Sequence, residues 1–354
     1  MHVQKTNLLT LMPVALLLIM ISGVATLTQP LTDKKAAAGY HLLKRIEVGG
    51  EGGWDYLTVD SDAHRLYVSH ATRVVVIDLN KGAAVGEIPN TNGVHGIAIA
   101  PEAGRGFTSN GRDNNVTIFD LKTLNVLGQV KTGRNPDAII YDPASRRVFA
   151  FNGGSADATA IDAATGTVAG TVALGGKPEF AAADGRGMVY VNIEDKSEVV
   201  AIDSKGLSVK AHWSLAPGEE PSGMAMDRQT RRLFVGCANK KMIVMNADNG
   251  HVVADLSIGQ GVDATAFDPD TKLAFSSNGE GTLTVVHEDA ADKYTVVENA
   301  PTQRGARTMA LDPKTHMVYV ATAQFGPPPA ATPERPRPRP TIIPGSFVVL
   351  VYGK

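Results

Sequence analysis

Seven polar residues recur at a regular interval and could bind a ligand together. The intervals are 40, 42, 42, 43, 41 and 44 residues, and each residue lies five positions ahead of a predicted turn. We call them the rim residues: Asp55, His95, Asp137, Glu179, Ser222, Asp263 and Arg307. Four are carboxylates, which would repel one another unless His95, Arg307 or a bound cation compensates, and such crowding raises carboxyl pKa values. We therefore expect a site for a divalent cation, a cationic ligand or a polyhydroxylated ligand. The alternative is that these polar strand ends are simply solvated.

A second tier of small or polar residues is expected on the same face, at the ends of the second strands. It comprises His70, Asn110, Asn152, Cys237, Asn278 and Thr322. The asparagines could contact a ligand or tie the backbone of the next turn, and we favour the turn role. His70 stands where other repeats have Asn, and a histidine facing the mouth could supply a proton, a ligand bond or a hydrogen bond. We therefore assign His70 to the ligand site, and we interpret Cys237 as a buried small residue.

The interval between the rim residues is also the length of a structural repeat. In each repeat a first strand alternates bulky and small residues, a second centres on an aromatic residue, a third is β-branched, and a weaker outer strand follows. The aromatic residues are Tyr67, Phe107, Phe149, Tyr190, Phe234, Phe275 and Tyr319. A period in the low forties with four short strands is typical of a propeller blade. The sequence predicts an all-β, seven-bladed β-propeller whose aromatic residues pack between blades.

The two ends of the chain are expected to complete one blade. After the run from Phe347 to Val351 the chain stops at Lys354, which leaves no room for a fourth strand in the last repeat. The segment from Leu42 to Val48, ahead of the first repeat, has the pattern of an outer strand. We predict that this N-terminal strand closes the last blade, so that the propeller spans residues 40–354.

The N-terminus has the pattern of an export signal. Lys5 precedes an apolar run from Leu8 to Ile21, and Gly23-Val24-Ala25 offers a cleavage site. Residues 1–25 are predicted to be a signal peptide and residues 26–39 a linker. A retained anchor is the alternative, but a run of roughly 14 apolar residues, interrupted by proline, is short for a span of about 20. We expect a periplasmic or secreted protein, and its single cysteine allows no intramolecular disulfide.

Residues 326–345 form an insert in the last repeat and contain eight prolines. This composition favours an extended polyproline arm over a strand. Arg335, Arg337 and Arg339 alternate with proline and would form a semi-rigid cationic comb. Such a comb could dock on acidic residues, a protein partner or phosphates, or could be a solvated loop.

Several second strands carry a recognisable four-residue phrase. Phe107-Thr108-Ser109-Asn110, Phe275-Ser276-Ser277-Asn278 and Tyr67-Val68-Ser69-His70 resemble the tyrosine-valine-threonine-asparagine signature of the YVTN family, which includes YncE-like periplasmic proteins. The resemblance covers essentially residues 40–354. It implies a seven-bladed fold, export, and binding through the loop-bearing face, mostly without a defined reaction. Nucleic-acid binding, which has been attributed within the family, is also implied.

Composition and motifs narrow the functional classes. The formal net charge is −2, with 34 basic and 36 acidic residues, which argues against nucleic acid or an anionic membrane as a partner of the whole surface. No complete catalytic motif is present, so the favoured function is a monomeric, exported, non-catalytic propeller that binds a small ligand or a protein partner. One alternative is a lactonase-type or metal-dependent hydrolase that uses His95, Glu179 and Arg307 as base, orienting group and anion clamp. Another is single-stranded nucleic-acid binding, which the acidic rim opposes.

Overall fold

The computed structural model describes residues 39–330, 332, 338 and 340–354. These residues form seven four-stranded antiparallel sheets, and the first strand of each contacts the first strand of the next until the ring closes. The predicted seven-bladed β-propeller is therefore confirmed. The predicted signal peptide (residues 1–25), linker residues 26–38, and Arg335, Arg337 and Arg339 lie outside the described residues.

Blades 1 to 4 each consist of four consecutive strands. Blade 1 comprises β2 (Trp54–Asp60), β3 (Arg65–His70), β4 (Arg73–Asp78) and β5 (Ala83–Ile88). Blade 2 comprises β6 (Val94–Ala100), β7 (Arg105–Asn110), β8 (Asn115–Asp120) and β9 (Val126–Lys131). Blade 3 comprises β10 (Pro136–Asp142), β11 (Arg147–Asn152), β12 (Asp157–Asp162) and β13 (Val168–Ala173). Blade 4 comprises β14 (Pro178–Ala183), β15 (Met188–Ile193), β16 (Glu198–Asp203) and β17 (Ser208–Ser214).

The remaining blades complete the ring. Blade 5 comprises β18 (Pro221–Asp227), β19 (Arg232–Cys237), β20 (Lys241–Asn246) and β21 (Val252–Ser257). Blade 6 comprises β22 (Val262–Asp268), β23 (Leu273–Asn278), β24 (Thr282–Ala290) and β25 (Lys293–Pro301). Blade 7 comprises β26 (Thr308–Asp312), β27 (Met317–Thr322), β28 (Val348–Gly353) and, from the chain start, β1 (His41–Glu47). Two single-turn 3-10 helices, Pro101–Ala103 and Glu194–Lys196, lie in turns.

Blade 7 is closed by the N-terminal strand, as the sequence predicts. Strand β1 pairs antiparallel with β28, from His41 opposite Gly353 to Glu47 opposite Val348. Ile46, 4% exposed, packs in a cluster with Leu57 and Phe347 that joins blades 7 and 1. Because this pairing links the first and last strands of the ring, it removes the free edge that an open fan of sheets would have.

The core lies between neighbouring blades. The seven second-strand aromatic residues have exposures from 0 to 4%, which confirms their predicted packing role. Between blades 1 and 2, for example, Tyr67 and Val76 pack against Ile97 and Phe119. Cys237 is also fully buried, as the sequence suggested. Each sheet thus buries its faces against its neighbours, and burial of this apolar area stabilises the ring. The described part of the chain contains no helix long and apolar enough to cross a membrane.

Candidate functional site

The start of the first strand of each blade brings one rim residue to the same end of the central channel, which we call the channel mouth; in blade 7 this residue, Arg307, directly precedes β26. Serine hydroxyls of the second strands hold this arrangement in place. The Ser69 hydroxyl accepts a hydrogen bond from the backbone N–H of Asp55 at 2.8 Å. In blade 2, the Ser109 hydroxyl donates to the backbone carbonyl of Asp137 in the next blade, and Ser277 does the same for Arg307. The serine of the repeated phrase therefore fixes the backbone that carries a rim residue.

Three rim residues from blades 1, 2 and 3 form one cluster. His95 Nδ1 lies 2.6 Å from Asp55 Oδ2 and 3.6 Å from Asp137 Oδ1. One ligand atom from each residue falls within 4.8 Å of the others, the spacing of a site that could hold a metal ion. The three side chains are only 14 to 28% exposed. The cluster is therefore a preformed, half-buried site, and nitrogen and oxygen donors suit a divalent cation.

His95 already acts as a cation within this cluster. Burial opposes its charged form, but the hydrogen bond to Asp55 and the negative charges of Asp137, Asp55 and Glu179 outweigh burial and raise the pKa of His95 to about 9. At neutral pH the imidazole is therefore protonated and bridges two carboxylates. A protonated histidine cannot accept a proton, so His95 does not serve as a general base at neutral pH.

Tyr56 forms the floor of the cluster. Its hydroxyl donates a hydrogen bond to the Asp137 carboxylate, and its side chain is 6% exposed. Burial, followed by the charges of Asp137 and Asp55, raises the pKa of Tyr56 well above its usual range. Tyr56 thus remains a hydrogen-bond donor. One oxygen of this carboxylate, Asp137 Oδ1, is buried and accepts no hydrogen bond from any described residue.

Glu179 continues the acidic surface in blade 4. Lys177 Nζ lies 2.7 Å from Glu179 Oε1 and also binds the carboxylate of Glu194. Burial and the charge of Asp137 raise the pKa of Glu179 despite the nearby Lys177 ammonium. The ammonium is thus shared between two carboxylates, and Glu179 holds its proton more tightly than an exposed glutamate does.

Asp263 and Arg307 complete the mouth from blades 6 and 7. Arg307 NH1 lies 2.9 Å from Asp263 Oδ2, and the Arg307 side chain is 43% exposed. Burial raises the pKa of Asp263 even though the charge of Arg307 opposes that shift. The last rim residue, Ser222, donates its hydroxyl to the carbonyl of Val262 at 3.0 Å and so ties blade 5 to blade 6.

The charges at the mouth do not balance. Five carboxylates meet three cationic side chains, and the carboxyl groups at blades 3, 4 and 6 hold raised pKa values because burial disfavours their charged form. The carboxylates are Asp55, Asp137, Glu179, Glu194 and Asp263, and the cations are His95, Lys177 and Arg307. A carboxyl group that keeps its proton because it is buried can release that proton when a cationic ligand brings a compensating charge.

The second tier differs in part from its predicted placement. His70 does not face the mouth: it is fully buried and stacks on Phe347 of blade 7, with ring centroids 4.5 Å apart. Neither ring nitrogen has a hydrogen-bond partner among the described residues. Burial and the Arg73 charge lower the pKa of His70 to about 4, so it is a neutral core residue at pH 7.

The amide groups of the second-tier asparagines donate to side chains of the third strand in the same blade, not to the turn backbone that the sequence favoured as their partner. Asn110 donates to Asn115 and Thr117, Asn152 to Asp157 and Thr159, and Asn278 to Thr282 and Thr284. All three are fully buried. Thr322 is likewise buried and donates to the carbonyl of Arg304 at 3.0 Å. These residues support the loops around the mouth rather than its surface.

Sequence reasoning missed three residues of the site. Lys177 and Glu194 lie outside the five-residue count that located the rim, although Lys177 stands only two positions before Glu179. Tyr56 follows Asp55 directly, at a position where most repeats carry Gly, Ala or Thr. A large aromatic residue at this position of the first strand was the sequence signal that a side chain fills the channel below the rim.

The described ends of the insert lie beside the mouth. Phe325 and Ile342 form an isolated antiparallel bridge, and the Gly326 N–H donates to the Thr341 carbonyl at 2.8 Å. The start and end of the insert are therefore paired, in contrast to the unpaired arm expected from its prolines. A cleft of about 350 Å³ next to the acidic cluster is lined by Phe325, Trp54 and the half-buried Arg307.

The hydrolase alternative gains no support from the geometry. His95 is bonded to Asp55, Glu179 to Lys177, and Arg307 to Asp263, so the three proposed catalytic groups each serve a different neighbour. With His95 protonated at neutral pH, the cluster offers a cation-binding surface rather than a base aligned on a substrate.

Comparison with known proteins agrees on the fold. No family model matches the chain, and no curated protein matches it significantly. Among solved structures, a chain of the "Crystal Structure of Mitotic Checkpoint Complex" superposes with a TM-score of 0.72 at 13% identity, covering 95% of this chain and 99% of that chain. A chain of the "Structure of U3-55K" superposes with a TM-score of 0.71 at 10% identity, covering 89% and 98%. At these identities the likeness extends to the architecture alone.

Proposed function

We propose that the protein is an exported, non-catalytic propeller of the YVTN, YncE-like type, which binds a cationic group of a ligand or partner at its channel mouth. The observation that carries this proposal is the excess of carboxylates over cations around a half-buried opening. The family assignment is supported by the repeated second-strand phrase together with the seven-bladed ring. Export is supported by the signal-like sequence of residues 1–25.

The protons on the rim explain how a cation would bind. Burial keeps the pKa values of Asp137, Glu179 and Asp263 high, so an entering cation gains ionised carboxylate partners by displacing protons. The cation can be a metal ion or the charged end of an organic molecule. Asp137 Oδ1, which accepts no hydrogen bond from the described residues and lies 3.6 Å from His95 Nδ1, is an acceptor for either kind of cation.

A partner protein could present the cation. Propellers serve commonly as platforms for assembly, and one of the similar chains comes from a structure described as a complex. The rigid ring offers a broad face around the mouth, and a protruding Lys or Arg side chain would fit an acidic channel. The insert that borders this face also carries the proposed partner-binding arm, which comprises Arg335, Arg337 and Arg339.

Thermal stability in the presence of cations tests the proposal. The parent protein is melted with calcium chloride, magnesium chloride or N-acetylarginine amide, each added separately. We expect at least one of the three to raise its melting temperature. The double variant Asp137→Asn with Asp263→Asn should lose that rise. Glu51→Gln with Glu280→Gln, which removes two exposed acids near the mouth face, is the matched control and should keep it. The absence of a rise with all three cations would refute the proposal.

A further inference from the structure

The channel is divided into two chambers by a pair of aromatic rings. Tyr56 of blade 1 meets Phe180 of blade 4 edge to face, with ring centroids 5.0 Å apart and planes at 79°. The Tyr56 hydroxyl points its hydrogen bond at Asp137 and thus belongs to the polar mouth. The ring surfaces of Tyr56 and Phe180, by contrast, line a cavity that lies beyond the mouth cluster.

This cavity is apolar and belongs to the opposite face of the ring. Its volume is about 460 Å³, and its wall includes Val59, Ile99, Ile140 and Tyr141, which lie at or near the ends of the first strands rather than at their starts. An adjoining recess of about 580 Å³ shares Ile140 and Tyr141 and adds Met226 and Phe267. Volumes of this order are those of small-molecule sites, which fall between roughly 300 and 1,000 Å³.

A regular sequence feature creates the apolar wall. In every repeat the residue directly before the first turn is apolar: Val59, Ile99, Tyr141, Ala183, Met226, Phe267 and Leu311. All except Ala183 are only half-buried: each packs in part against a core cluster between blades and keeps part of its apolar surface exposed. Half-exposed apolar side chains that converge on one opening are typical of a ligand site, whereas scattered ones need no explanation.

Arg228 is the cationic group of this opening. It lines both the cavity and the adjoining recess. Its Nε donates to the carbonyl of Ala183 at 3.0 Å, which anchors the guanidinium across the gap between blades 5 and 4. The terminal nitrogens have no hydrogen-bond partner among the described residues, and the residue is exposed. An anchored guanidinium with free donors is suited to bind a carboxylate or another anionic head group.

The acidic group at the opposite wall, Glu102, already has a partner in Tyr141. The Tyr141 hydroxyl donates a hydrogen bond to Glu102, and burial together with that bond raises the pKa of Tyr141 to about 12. Both residues line the cavity. An anionic head group would be repelled by Glu102 and attracted by Arg228, so the two charges orient a bound molecule in one direction.

We infer that this opening is a second ligand site, which binds a single-chain amphiphile with its apolar chain in the cavity below Tyr56 and its anionic head group at Arg228. The site shares no side chain with the cation site except Tyr56, whose hydroxyl and ring serve the two chambers separately. Its occupation therefore does not depend on the function proposed for the mouth.

Calorimetric titration with decanoate, at pH 8 and below its micellar concentration, tests the inference. Decanoate is expected to bind the parent protein, and decanol, which has the same chain without the charge, at least about ten-fold more weakly. Arg228→Met should weaken decanoate binding by about ten-fold, and Arg228→Lys by less. Arg186→Met is the matched control, because Arg186 occupies the corresponding turn of blade 4 but does not line the cavity.

Two further variants separate the chain site from the head-group site. Ile140→Gln introduces a polar group where the two recesses meet and should weaken decanoate and decanol equally. Glu102→Gln should leave decanoate binding unchanged or tighten it, since it removes the repelling charge. The melting temperature of each variant shows that it remains folded. Equal affinities for decanoate and decanol, equal effects of Arg228→Met and Arg186→Met, or no decanoate binding by the folded parent would overturn the inference.

Discussion

His95 Nδ1 lies 2.6 Å from Asp55 Oδ2, and this hydrogen bond between neighbouring blades places a protonated imidazole among the carboxylates of the channel mouth. The residues are 40 positions apart in the sequence, one blade length, so the bond is a direct product of the repeat. The mouth thereby supplies part of its own positive charge. A cationic ligand would bring the positive charge that the mouth still lacks.

Asp55→Asn is expected to lower the pKa of His95. In the parent protein this pKa is about 9, and the hydrogen bond and charge of Asp55 contribute to it while burial opposes it. Without the charge of Asp55, the effect of burial is opposed less strongly, and the pKa of His95 should fall below 9. Titration of the His95 ring protons by NMR measures the change directly. A parent His95 that titrates near its ordinary value of 6.5 would contradict the bridging role.

The same shift predicts a loss of stability at alkaline pH. A histidine whose folded pKa is raised contributes stability that is complete below its unfolded pKa of 6.5 and is lost as pH rises through about 9. The raised pKa values of the rim carboxyls act in the same direction. The melting temperature should therefore decrease between pH 6.5 and pH 9.5. A melting temperature that increases over this range would show that the mouth is not a proton-holding site.

His70 should make the fold sensitive to acid. Its pKa is lowered to about 4, so it contributes stability that is present above pH 6.5 and lost as pH falls through 4, up to about 3 kcal/mol. His70→Phe keeps a ring stacked on Phe347 and should reduce the loss between pH 6.5 and pH 4. The control His251→Gln changes an exposed histidine. Identical acid melting curves for the parent and His70→Phe would count against a neutral buried His70.

The strand that closes the ring should carry much of the stability. Ile46→Ala removes a buried side chain between blades 7 and 1, and a cost of about 2–5 kcal/mol in the free energy of unfolding is expected. Leu42→Ala changes the same strand at a side chain that is 43% exposed and should cost much less. Urea unfolding monitored by circular dichroism measures both. Equal small effects would mean that β1 is dispensable for closure.

The sequence predicted the architecture because its signals are local and repeated seven times. A turn every 40 to 44 residues and an aromatic residue in each second strand determine the blades, and counting back from each turn located the rim. The partners within the mouth were not predictable in this way. Which cation meets which carboxylate depends on side-chain reach: Lys177 turns from its own loop to both Glu179 and Glu194.

His70 shows the complementary limit. On the sequence alone, His70 is assigned to the mouth because it replaces the Asn of other repeats, yet Phe347, which covers it, comes from the far end of the chain. That contact exists only because the ring closes between blades 7 and 1. Local patterns do not encode such a contact. The apolar ring of the opposite face was readable in the sequence, because it occupies one fixed register, but its meaning required Arg228 and the divided channel.

Proton release on cation binding tests the central claim most directly. Calcium, magnesium and N-acetylarginine amide are each titrated into the parent protein by calorimetry at pH 7, in two buffers that differ in ionisation enthalpy. We predict that at least one cation binds and releases protons, because the raised pKa values at Asp137, Glu179 and Asp263 fall when a positive charge enters. Binding and proton release should vanish in Asp137→Asn with Asp263→Asn and persist in Glu51→Gln with Glu280→Gln. No binding of any of the three cations, or binding that survives in the Asp137 and Asp263 double variant, would contradict the account.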